Sequence, residues 1–339
     1  NTNRAGRMRD GSSASWPREM PLQSSRRRPS APTGGTEVQI DPTVVDALLD
    51  SVHAVTIRFS LRALDRYVPR KPFAADIRGR IGEVLHGTPE YEQMFALELP
   101  DDGRDLGRLS GGEGAPRPYV LRGRPADVVE EGELLEVDIT LLRPNPATLR
   151  PWIDAVLHAT EGRLGRRPGA GFVPERIDIG TPGSLYEQCA KRWCALNGGD
   201  AAEALVRVEL ATPARLLSKG EELSGTPSVL ARTLARRLDS LARLYGAPPP
   251  AIDARALGEL AREVEGRPEW TSDLSWIQAW RYSSRQGQPV PLHGCVGWWS
   301  GTVPRWLGLL LLAGEIVHVG KGTTQGLGVL DVRIQEERT

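Results

Sequence analysis

Charge of one sign has no excess in this chain of 339 residues: 43 Lys and Arg stand against 43 Asp and Glu, a formal net charge of +0. That balance excludes a protein drawn to nucleic acid or an acidic surface by its overall charge, and leaves the task to local patches. Cysteine is scarce, with Cys189, Cys194 and Cys295 alone. Three thiols make no disulfide framework, and the five-residue step between the first two is not a metal hook. No HExxH, no acidic cluster of the two-metal type and no Cys/His set occurs, so the sequence offers no metal site and no cofactor. Long apolar runs are missing: Trp306 to Ala313 is too short to cross a bilayer. The first residues lack the apolar core of a signal peptide. These absences predict a reduced, soluble, cytoplasmic protein with no membrane contact.

What is present suffices for two domains with real cores, since 40% of the residues are hydrophobic and 25% charged. Residues 1–37 are the exception. They are rich in Arg, Ser, Pro and Gly, with Arg26-Arg27-Arg28 followed by Pro29 and Pro32, and read as a disordered linker. The sequence begins at Asn1 rather than Met, the pattern of a piece of something longer. From residue 38 the periodicity predicts a short helix at 44–52, a strand at 55–61, a helix at 73–85 ended by His86-Gly87, strands at 119–121 and 134–142, a helix at 149–160 and a strand at 176–179. A connection at 182–203 follows. The order then repeats: a strand at 205–210, helices at 229–245 and 254–265, strands at 277–283 and 290–298, a helix at 304–313, a strand at 316–319 and a last strand at 329–334. Two tandem βαββαβ units predict an α+β fold of two ferredoxin-like (RRM-like) domains, at 38–181 and 204–339, the second carrying a glycine-rich loop.

That loop lies in GEIVHVGKGTTQGLG, residues 314–328. Glycines at 320, 322, 326 and 328 allow positive φ and close approach of a ligand. Successive N–H groups in such a loop form a concavity for an anion, and Lys321 adds a mobile positive charge. The expected guest is phosphate, met by Gly320, Gly322, Thr323, Thr324, Gly326 and Gly328. The spacing fits neither a Walker loop, because Gly322 follows Lys321, nor a dinucleotide fingerprint, because a strand follows the loop. The loop therefore joins two strands or a helix and a strand. A second glycine-rich stretch, GRLGRRPGAGF at 162–172, places Arg163, Arg166 and Arg167 as a candidate opposite wall of an RNA cleft. Arg281 and Arg285 flank Ser283-Ser284 and are candidate backbone-positioning cations. Six of the nine tryptophans lie at 270, 276, 280, 298, 299 and 306. Trp276, Trp280 and Trp306 are read as filling the second core or an interface, with base stacking as the alternative.

Several blocks carry a family resemblance. They are DIRGRIGEVL at 76–85, PRPYVL at 116–121, ELLEVDITLL at 133–142, VELATPARL at 208–216 and the later LARRLDSLARLYG. The most specific are RYSSRQGQPVPLHGCVG at 281–297 and HVGKGTTQGLG at 318–328. With them the chain, from about residue 54 to 334, resembles the repeat-processing endoribonucleases of CRISPR systems, members of the RAMP superfamily. The resemblance implies an RNA-binding nuclease that cuts CRISPR repeat transcripts once per repeat, without metal, to release crRNA. Its implied partners are CRISPR repeat RNA or crRNA, and other CRISPR effector or adaptation subunits. Such cleavage uses the 2′-hydroxyl as nucleophile and leaves a 2′,3′-cyclic phosphate and a 5′-hydroxyl. It needs a base, an acid and cationic donors to the phosphoryl group, and histidine suits both proton transfers.

In that family the catalytic histidine commonly stands on or just after the first long helix, which makes His86 the first candidate. His318, expected on a strand entering the loop, is the second, with Lys321 as the group that stabilises phosphoryl charge. His53 reads as a surface residue, and His158 and His293 as structural. Tyr67 and Tyr91 are candidates for hydrogen bonds near the scissile phosphate. Two other readings stay open. One is a crRNA-binding subunit that does not cut, favoured if no histidine stands within reach of the loop. The other is an unrelated ferredoxin-like pair whose loop holds a small phosphorylated ligand.

Overall fold

The computed structural model of the protein describes residues 41, 43–69, 73–95, 116–123, 128–143, 146–161, 164, 169–218, 220–278, 280–283 and 288–334. Its first half contains helix α1 (Thr43–Asp50), strand β1 (His53–Ala63), helices α2 (Phe73–Leu85) and α3 (Pro89–Met94), strands β2 (Tyr119–Gly123) and β3 (Leu134–Leu142), helix α4 (Pro146–Glu161) and strand β4 (Phe172–Ile179). Alternation decides which side of β1 is inside. Val55, Ile57, Phe59 and Leu61 are buried in one cluster with Ile77 and Ile81 of α2 and Trp152 and Val156 of α4. On the opposite face Arg58 bonds Asp138 across the β1–β3 ladder at 2.8 Å. The antiparallel sheet runs β2-β3-β1-β4.

After β5 (Gly183–Ser184) and α5 (Leu185–Asn197), the second half runs through β6 (Glu203–Ala214), β7 (Leu217–Ser218), β8 (Glu221–Glu222), α6 (Pro227–Tyr245), α7 (Ala254–Glu265), β9 (Thr271–Ile277), β10 (Trp280–Ser283), β11 (Gln288–Pro291), β12 (Gly294–Pro304), α8 (Arg305–Val317), a short 3-10 turn (Thr323–Gln325) and β13 (Leu330–Ile334). Its sheet runs β13-β6-β12-β9. In both sheets the fourth strand of the repeat lies beside the first, then come the third and the second. The expected pair of ferredoxin-like units is therefore present.

Three local expectations are corrected. The second strand of the second repeat is 271–277, not 277–283, and β10 pairs with β11 as a separate hairpin. Strand β9 is an edge strand with no fully buried residue, so its alternation is weak and the aromatic run beyond it reads more strongly. Residues 316 and 317 are helical rather than the start of a strand. Burial overrides the β preference of Ile316 and Val317, and Gly314 does not end the helix. A Cβ at Gly314 would come within 2.6 Å of Leu330, so glycine there serves close packing. The third correction concerns α1. Its Val45, Leu48 and Leu49 lie in one cluster with Trp299, Leu307 and Leu311 of the second half, as do Leu185 and Trp193 of α5. Helices α5 and α8 meet so closely that a Cβ at Gly308 would stand 2.0 Å from the Trp193 ring. No described helix is long and apolar enough to cross a membrane.

Candidate nucleic-acid interface

The glycine-rich loop takes its shape from what ends α8. Residue His318 turns the backbone to φ 57 and ψ 170, a positive-φ conformation rare outside glycine. The carbonyl of Val317, on the last turn, accepts a hydrogen bond from Arg237 Nε at 2.9 Å, and Arg237 Nη2 donates to Thr323 Oγ1 at 3.0 Å. Arg237 projects from α6 and is buried, with no ion pair among the described residues. Burial pulls its pKa down to about 10, so it stays charged at neutral pH. A cation against the last carbonyls is favoured by the helix dipole. One side chain thus ties the end of α8 to the far side of the loop.

Two glycines show why the loop needs them. Gly320 has φ 78, and a Cβ there would lie 2.6 Å from the Arg215 carbonyl oxygen. Gly326 has φ 75, and a Cβ there would lie 2.6 Å from Ala74 Cβ at the start of α2. The second contact seats the loop on the first half of the chain. There Thr324 and Arg78 also stand beside the Tyr119 hydroxyl, whose pKa burial raises against the pull of Arg78. The N–H groups of Gly322, Thr323 and Thr324 stand in succession without a backbone acceptor among the described residues. The N–H groups of Lys321, Gln325, Gly326, Leu327 and Gly328 all donate to backbone carbonyls, including Arg215 at 3.2 Å and Pro213 at 3.1 Å. The glycines fold the loop back on itself and onto β6.

Lys321 is half-buried, and neither it nor Arg215 has an ion pair among the described residues. On the open sheet face of the first half, by contrast, Arg58, Arg62 and Arg176 each hold a carboxylate: Asp138, Glu175 and Asp178. His318 is 1% exposed rather than lying on an accessible strand. Burial, followed by the charges of Arg237 and Arg122, pushes its pKa down to about 3, against the opposing effect of the Thr323 and Leu327 backbone. It is neutral at pH 7 and closed to solvent. His86 is exposed in the turn after α2, its ring 5.1 Å from that of Tyr91 at 62°. Tyr91 stacks on Phe95, over which Arg78 lies at 5.2 Å. Twelve residues of helical rise separate Ala74, where the loop sits, from His86, a distance along α2 of about 18 Å.

Tyr67 is buried against Phe172 in the first core. His53 is exposed at the start of β1, and His158 Nδ1 lies 3.1 Å from the Asp154 carbonyl oxygen. The backbone of Arg281 pairs with Val290 in the β10–β11 hairpin. Its side chain, like Arg163, Arg166, Arg167 and Arg285, lies outside the described residues. Sequence reasoning passed over Arg215 and Arg237. The second left a signal, a charge on the apolar stripe of α6 between Leu234 and Leu241. The core reading of Trp280 is corrected: this indole is 62% exposed, whereas Trp276 and Trp306 pack against the core.

In sequence, residues 208–330 match the profile of the family described as CRISPR-associated endoribonuclease Cas6. This span runs from β6 to β13 and includes the loop, where the resemblance read from the sequence was most specific. No curated protein matches the chain. Among solved structures, one described as a partial Cas6-RT-Cas1–Cas2 complex superimposes with a TM-score of 0.52 at 12% identity, over 86% of this chain and 48% of that one. A second, described as a Cas6-RT-Cas1–Cas2 complex, has the same TM-score and identity, over 86% of this chain and 30% of that one. The chain thus spans about half or less of their length, and at this identity the likeness is one of fold. Thermus thermophilus Cas6 superimposes with a TM-score of 0.47 at 15% identity, over 83% of this chain and 98% of that one.

Proposed function

We propose, taking as premise the match of residues 208–330 to the CRISPR-associated endoribonuclease Cas6 family, that the protein binds CRISPR repeat RNA and cleaves the precursor to release crRNA. The observation that carries this reading is the seating of the glycine-rich loop, with Lys321 and Arg215 outside any described ion pair, against α2 and β2 of the other half. One surface then combines phosphate-binding cations with the helix that leads to His86.

In the proposed reaction His86 moves the proton of the 2′-hydroxyl or of the leaving 5′-oxygen, while Lys321, in a loop that meets α2 about 18 Å from His86, holds a phosphate farther along the RNA. The 2′-oxygen attacks phosphorus, the bond to the 5′-oxygen breaks, and a 2′,3′-cyclic phosphate and a 5′-hydroxyl remain. No metal is required by this chemistry. Exposure of His86 and its contact with Tyr91 support the assignment. His318 is assigned a supporting place beneath the loop, since its burial keeps it from substrate. For partners, the fold likeness to chains of Cas6-RT-Cas1–Cas2 complexes supports CRISPR adaptation subunits.

The test is cleavage of end-labelled repeat RNA in EDTA. Wild type is expected to cut once. His86→Ala should lose about 10²- to 10⁴-fold in rate, the usual worth of a general acid or base, while still binding RNA. Full activity of His86→Ala would remove the assignment, and loss of cutting by the wild type in EDTA would remove metal independence. A second reading, a crRNA-binding subunit that does not cut, is favoured by the distance of about 18 Å along α2 between loop and His86. Tight binding of repeat RNA with no product under any condition would establish that reading instead.

A further inference from the structure

Trp280 has the only aromatic ring among the exposed large hydrophobic side chains of the described residues, and it stands where the β10–β11 hairpin leaves the sheet. An isolated exposed Trp needs no explanation, but this one is braced. The His293 ring lies 6.0 Å away at 73°, edge to face, and 6.1 Å from the Trp276 ring. His293 Nε2 is held 3.3 Å from Glu222 Oε1. Its position is fixed by the residue that follows, because Gly294 runs so close to Ala214 that a Cβ would come within 2.7 Å of the Ala214 carbonyl carbon. That contact sets His293 beside Arg215, whose charge, after burial, lowers the imidazole pKa against the influence of Glu222. Arg215 in turn forms a β-bridge with Lys321 of the glycine-rich loop.

An aromatic face open to solvent therefore lies at one end of a short row of side chains, with Arg215 and Lys321 at the other. A flat apolar ring beside two cations without an ion pair among the described residues complements a nucleotide, which is a flat base joined to a phosphate. We propose that Trp280, braced by His293, stacks one unpaired nucleobase of an RNA strand, and that Arg215 and Lys321 hold a phosphate of that same strand. The inference rests on the RNA-binding reading and adds to it a place where the RNA is single-stranded. Stacking on an indole tolerates any base, so this position contributes affinity for unpaired RNA and no sequence preference.

The experiment uses the full chain with two probes, a single-stranded oligoribonucleotide carrying 2-aminopurine at successive positions and a blunt hairpin of equal length without unpaired ends. In wild type, 2-aminopurine at one position is expected to be quenched on binding. Trp280→Ala should abolish that quenching and weaken single-strand affinity by about tenfold, within the range for a base stacked on an aromatic ring. Hairpin affinity should stay unchanged. Trp280→Phe should restore most of the affinity, and Lys321→Ala should lower the salt dependence for both probes. Equal affinity of wild type and Trp280→Ala for the single strand, with RNA still bound, overturns the stacking site and leaves the RNA reading intact. Absence of binding to either probe by the wild type overturns both. Thermal unfolding of Trp280→Ala, expected to match wild type because the indole is exposed, separates loss of stacking from loss of fold.

Discussion

Protonating His318 would place a third positive charge beside Arg237 and Arg122 in a site closed to water. The folded protein resists that proton down to about pH 3, whereas the unfolded chain accepts it near the ordinary value of about 6.5. The neutral histidine therefore contributes stability that is complete above about pH 6.5 and is lost as pH falls toward 3. The slope in that window reaches about 1.4 kcal/mol per pH unit. Between pH 6.5 and 5, the urea midpoint of wild type should fall more steeply than that of His318→Gln, which has no proton to gain. Parallel curves would show that the ring is accessible. Little of this was legible in the sequence. An imidazole after a β-branched pair reads as a strand residue, and only the packing of α6 against α8 shows that the ring points inward.

The elements were easier to read where one face meets a core. The alternation of Val55 to Leu61 and the limits of α2 follow from burial on one side, and the structure has both. Reading failed at edge strand β9, which has no fully buried residue to mark a face, and at the last turn of α8, where tertiary burial outweighs local preference. The glycines of α2 and of the loop look alike in sequence and differ in structure. Gly79 lies exposed in the helix with nothing within 4 Å of a would-be Cβ. Gly79→Ala should stabilise the protein by about 0.5–1 kcal/mol. Gly326→Ala meets both a left-handed backbone and Ala74, and should destabilise by about 1–3 kcal/mol. Urea denaturation of the two variants checks the opposite signs. Equal effects would mean that the loop does not rest on α2.

Across the whole molecule, chain order and core order disagree. Helix α1 precedes the first sheet, yet its buried side chains belong to the core built around α6 and α8. Leu48→Ala should therefore cost about 2–5 kcal/mol. Hydrogen-exchange protection should drop first in α8 rather than in β1, despite the nearness of β1 in sequence. Early loss of protection in β1 would place α1 with the first half instead. The same arrangement has a consequence on the ribosome. The apolar stripe of α1 emerges ahead of the first sheet, but the α8 surface that covers it is completed roughly 270 residues later. At cellular synthesis rates that is an interval on the order of ten seconds to a minute. During it the nascent chain carries an uncovered greasy helix ahead of a first sheet that can already close, a natural landing place for a chaperone.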